Sequence, residues 1–105
     1  MYIYNITFNI EPEVYEDWKI WLEEVFVLEL QKAQFHQKSV FLEVLSRHQS
    51  GRTFTLQLHI DNHPAFVQFE NTRLNRLKSE LFNIFSDKVL VFDTMLKNVS
   101  EDFNL

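Results

Sequence analysis

Two short rows of side chains hold most of the polar chemistry open to this chain. Asn5, Thr7 and Asn9 alternate with Tyr4, Ile6, Phe8 and Ile10, and Thr55, Gln57 and His59 alternate with Phe54, Leu56, Leu58 and Ile60. Amides and hydroxyls hold uncharged polar ligands, and an imidazole can move a proton near neutral pH. Side by side, the rows could hold and deprotonate a small aromatic substrate. They could equally be the polar centre of a subunit interface, bonded across strands and to trapped water. The interface is the plainer reading, since neither a second base nor a positioned carboxylate completes an active site.

The other chemistry-bearing residues assemble nothing further. His59 and His63 have the spacing of helical metal ligands but straddle a strand end and a helix start, so that geometry fails. Only Asp61 lies nearby, so no metal site and no cofactor are expected. His36 and His48 bracket a strand and are expected to face solvent. There is no cysteine, hence no disulfide framework, thiolate ligand or thiol nucleophile. A single glycine, Gly51, rules out G-x-G-x-x-G and G-x-S-x-G. A net charge of −5 argues against general nucleic-acid binding, which needs a basic footprint to displace phosphate counterions. The N-terminus lacks the basic and apolar regions of a signal peptide, and the longest apolar run, Val25–Leu28, spans no membrane. With the absence of cysteine, this fits a cytoplasmic protein.

The elements that must position the two rows follow from periodicity. Tyr2 to Ile10 and Gly51 to Ile60 alternate strictly, as strands with one buried face do. Glu11-Pro12 opens a helix through about Gln31, with Val14, Trp18, Trp21, Leu22 and Val25 inward and an acidic outer face. Phe35 to His48 and Asp87 to Val99 are strands with apolar groups on both faces. Asp61-Asn62-His63-Pro64 starts a second helix to about Ser86, with Phe66, Leu74, Leu77, Leu81 and Ile84 or Phe85 inward. Between Phe69 and Leu74 no apolar residue keeps the stripe, and Asn71-Thr72 predict a kink or break.

The order β-α-β-β-α-β, in 105 residues, predicts one ferredoxin-like α+β domain over 1–99, with 100–105 a loosely held tail. Two helices cover only one face of a four-stranded antiparallel sheet, with the first and third strands central. The covered face should take Ile6, Phe8, Val40, Leu42, Leu56 and Leu58. The other should carry the six polar residues flanked by Phe41 and by Val91 or Phe92. An uncharged polar centre with an apolar rim reads as half of a sheet-to-sheet contact or the floor of a cavity.

The stretches IYNITFNIEPEVYEDWKIWL, FLEVL, TFTLQLHI and KVLVFDTML resemble an uncharacterised bacterial family of small proteins, domain of unknown function 4286. The resemblance covers most of the chain and implies a fold similar to dimeric α/β-barrel proteins, in which two ferredoxin-like sheets pack face to face. It brings no catalytic residues. The first functional reading is thus a small homodimer, paired through the non-helical sheet face, with a structural, binding or regulatory role. The alternative is a cofactor-independent monooxygenase-like enzyme, or a binder of small aromatic ligands, using a cavity at that face.

Overall fold

A computed structural model describes residues 1–45 and 50–105. The four strands are β1 (Tyr2–Ile10), β2 (His36–Val44), β3 (Arg52–Ile60) and β4 (Val89–Lys97), in the order β2-β3-β1-β4 with every pairing antiparallel. The first helix occupies residues 12–33, between β1 and β2, and the second residues 63–85, between β3 and β4. This is the expected ferredoxin-like βαββαβ arrangement, with β1 and β3 central.

The helix starts are set by local chemistry. Pro12 stands at the first position of the first helix, where its missing N–H costs nothing. Asn62 caps the second helix by accepting a hydrogen bond from the Ala65 N–H at 3.1 Å. Each helix also contains one π turn, Leu22–Phe26 and Glu70–Leu74. The second lies where the apolar stripe lapses. Phe69 and Leu74 are five residues apart, too far to share a face of a regular α-helix, and one i→i+5 turn brings both inward. The Thr72 hydroxyl donates to the Gln68 carbonyl at 2.6 Å, a local bond that favours the distortion. The first π turn likewise brings Phe26, five residues beyond Trp21, into the core, where Val25 had been expected.

The core lies between the helices and one sheet face. Phe8 is fully buried, 5.5 Å ring to ring from Trp18 and edge-on to Phe26 at 5.7 Å. Trp18 in turn stacks on Phe54 at 5.5 Å. Such offset and edge contacts add about 0.5–1.5 kcal/mol per pair beyond burial. Of the two candidates near the end of the second helix, Phe85 is buried and Ile84 exposed.

At the β4 side a polar cluster closes the core. The Tyr4 hydroxyl and the Lys78 ammonium both donate to Asp93 Oδ2, each at 2.7 Å. Burial and the adjacent carboxylate push the Tyr4 phenol far above its ordinary range, so it stays a donor. Burial alone would raise the Asp93 carboxyl, but the hydrogen bonds from Lys78 and Tyr4 outweigh it and hold the group below its usual value. A carboxyl depressed in the folded state stabilises fully above its unfolded pKa, and that stability is lost as pH falls through the folded value. Wild-type stability should therefore decline below about pH 4. In Lys78→Met the Asp93-dependent part of that decline should shrink, a difference measured by urea unfolding at pH 7 and pH 3. An identical pH dependence in the two proteins would refute the assignment.

The terminal residues expected to trail off form a 3₁₀ turn over Ser100–Phe103, with the Leu105 N–H bonded to the Ser100 carbonyl at 2.9 Å.

Candidate functional site

The structure brings all six candidate residues onto one surface. On β1 and β3 the pairs Asn5↔Gln57, Thr7↔Thr55 and Asn9↔Thr53 stand opposite each other on the face away from the helices, and His59 pairs with Ile3 on the same face. Four hydrogen bonds run from side chain to side chain across this face. Asn5 Nδ2 donates to Thr7 Oγ1 at 3.4 Å, Thr7 Oγ1 to Thr55 Oγ1 at 3.0 Å, and Thr55 Oγ1 back to Asn5 Oδ1 at 2.9 Å, a closed ring of three side chains. Asn9 Nδ2 donates to Thr53 Oγ1 at 2.8 Å. His59 Nδ1 lies 3.5 Å from the sulfur of Met1. Groups engaged with one another in this way rigidify a sheet centre more readily than they hold a substrate.

The flanks of this face differ from expectation on one strand. Phe41 pairs with Leu56, and Val40 and Leu42 pair with Gln57 and Thr55. Val40, Leu42 and Val44 therefore lie on the open face, and Phe41 lies on the helix side with its ring stacked 5.5 Å from that of Phe54. The assignment inverts because β2 is an edge strand. Its residues are half-exposed on both sides, so neither parity stands out as core. On β4 the register decides between the two candidates: Phe92 pairs with Thr7 on the open face, while Val91 pairs with Phe8 on the helix side. The result sharpens the expected pattern, with a polar centre on β1 and β3 between apolar borders of Val40, Leu42 and Val44 and of Leu90, Phe92 and Leu96.

A second feature lies on the opposite side of the sheet. Between the first helix and the β2–β3 edge is a cavity of about 270 Å³. Its walls are Leu22, Val27 and Leu30 from the helix and Leu56, Leu58 and Phe41 from the sheet. His36 reaches it because of a β-bulge between His36 and Lys38: His36 pairs with buried Ile60, while Lys38 pairs with His59 on the open face. Without the extra residue, strand alternation would put His36 on the side of Lys38 and Val40. Its Nδ1 is buried with no hydrogen-bond partner among the described residues. Burial lowers its pKa below the ordinary imidazole value, and the negative charge of Asp61 offsets this in part. The expectation that His36 faces solvent is thus corrected. This bulge required no glycine or proline, so no residue type announced it. His48 falls outside the described residues.

The other candidates keep ordinary roles. The His63 ring packs 5.8 Å from Tyr2. Trp21 donates to Glu80 Oε1 at 3.2 Å, and the acidic side of the first helix forms ion pairs from Glu13 to Lys88 and from Glu29 to Arg73. No group of three metal-ligating residues occurs among the described residues, and no described helix is long and apolar enough to cross a membrane.

With the topology and both faces established, comparison with known proteins becomes informative. A family model described as a domain of unknown function, DUF4286, matches residues 1–99. The chain belongs to the DUF4286 family. No curated protein matches it. Among solved structures, this DUF4286 chain is similar to an ethyl tert-butyl ether D (EthD) family protein from Bacillus halodurans, with a TM-score of 0.65, 13% identity, and coverage of 94% of this chain and 100% of that one. It is also similar to HapK from Hahella chejuensis, with a TM-score of 0.63, 11% identity, and coverage of 94% and 93%. A structure described as an antibiotic biosynthesis monooxygenase gives a TM-score of 0.61 at 13% identity, covering 94% and 99%. At these identities the likeness establishes a shared ferredoxin-like fold for the DUF4286 chain and carries no residue roles.

Proposed function

We propose that this DUF4286 protein is a homodimer paired through its non-helical sheet face, with a structural, binding or regulatory role and no catalysis on that face. The observation that carries the reading is the composition of the face itself. It has four positions on each of four strands, and Lys38 is the one formally charged side chain among them, His59 being counted neutral. The whole chain is 24% charged. Depletion of charge, with apolar side chains around an uncharged polar centre, is the composition of an interface core.

Its size suits a second copy. Four strands of nine residues, at about 4.8 Å between strands and about 3.3 Å per residue, make a face roughly 19 by 30 Å. Two such faces pressed together remove upward of about 1,100 Å², above the roughly 1,000 Å² expected of a specific interface. The closed ring formed by Asn5, Thr7 and Thr55 lowers the cost of burying those groups, since each already has a partner. Light scattering on the eluting peak at about 10 μM should give twice the 12.7 kDa of the chain. A single peak at the monomer mass would overturn the reading.

A further inference from the structure

We propose that the cavity between the first helix and the β2–β3 edge is a binding site for a small uncharged aromatic alcohol, its ring held by leucines and its hydroxyl by His36. This site is separate from the pairing face and does not depend on association.

Three observations converge on it. The first is volume. A dry protein cavity of roughly 150 Å³ accommodates benzene, so about 270 Å³ suits one fused pair of rings. The second is lining. Leu22, Val27, Leu30, Leu56 and Leu58 are apolar, while Glu23 and Gln31 are exposed. Such a pocket favours a flat apolar body and penalises a charged one. The third is the polar part of the wall, to which β2 contributes His36 and Ser39. His36 brings an imidazole to this wall, and a polar group in an otherwise apolar lining fixes the orientation of what binds there. A neutral imidazole offers one donor and one acceptor, so it can meet a hydroxyl in either sense.

The bulge gives the arrangement its specificity. It is the irregularity that turns His36 out of the β2 alternation and into the cavity, and bulges re-aim side chains in this manner beside binding sites.

The probe is 2-naphthol, with its methyl ether as the partner lacking a hydroxyl donor. Titration followed by amide shifts of Leu56 and Leu58 should show saturable binding, with a dissociation constant of order 100 μM. His36→Phe, which keeps the ring, and Val27→Phe, which fills the cavity, should each weaken 2-naphthol binding by about tenfold or more. Thermal melting would establish that each variant is folded; His36→Gln replaces His36→Phe if the latter is not. The ether should bind wild type less tightly and be indifferent to the loss of the imidazole. Absence of saturable 2-naphthol binding to wild type below about 1 mM, or its undiminished binding to either folded variant, overturns the proposal.

Discussion

Gly51→Ala should lower the stability of the chain by about 3 kcal/mol. Gly51 adopts φ +77°, where a side chain costs roughly 1–2 kcal/mol. A β-carbon there would also lie 2.5 Å from the backbone oxygen of Ile10 and 3.2 Å from its carbonyl carbon. Neither atom can swing away as a flexible side chain would, because Ile10 is a fully buried residue of the central strand and pairs with Arg52. Relieving the overlap means parting β1 from the start of β3. For a domain of this size the midpoint of thermal unfolding should fall by roughly 10–20 °C. Gly51→Asn separates the two causes, since asparagine tolerates positive φ but still carries a β-carbon. If close approach dominates, both variants should melt far below wild type; recovery of most of the loss by asparagine would assign the effect to the backbone angle. A Gly51→Ala melt within about 2 °C of wild type would refute both.

Thr55→Lys should dissociate the proposed dimer. Thr55 lies at the centre of the open face, accepting from Thr7 and donating to Asn5. Lysine in its place breaks the ring and puts an unpaired ammonium into a contact that excludes water, at a cost of several kcal/mol. Two-fold symmetry places that charge in the interface twice. Association should weaken by at least about 100-fold, so the variant elutes at monomer mass where wild type is paired. Phe92→Asp makes the same test without touching the ring, because Phe92 sits at the β4 border and is 62% exposed. Phe82→Asp is the matched control, equally exposed at 62% but on the outer side of the second helix. Retention of the dimer in Thr55→Lys and Phe92→Asp, with its loss in Phe82→Asp, would move the interface to the helices.

These expectations rest on features of unequal visibility. The strands β1 and β3 are legible because their alternation is strict and each has one buried face, so sequence parity and burial agree from Tyr4 to Ile10 and from Phe54 to Ile60. The same parity put Asn5, Thr7 and Asn9 on one face of β1 and Thr55, Gln57 and His59 on one face of β3, and the expected pairing of those strands made the rows neighbours. Edge strand β2 was legible as a strand but not in its facing, since Val40, Leu42 and Val44 compete with Phe41 and both sides stay half-exposed. The lapse between Phe69 and Leu74 was visible as a gap in the stripe, yet only the packed helix shows a π turn in place of a break.

What the sequence determined by itself is the ferredoxin-like topology and the membership of the polar row. Both are written in local periodicity, and few chain paths satisfy it. What only the tertiary structure decided is the partnership within that row and the existence of the cavity. The ring from Asn5 through Thr7 to Thr55 depends on the register of two strands nearly fifty residues apart. The turning of His36 depends on one extra residue in β2 opposite His59. Register is set by the sum of many contacts along both strands and leaves no mark at any one position.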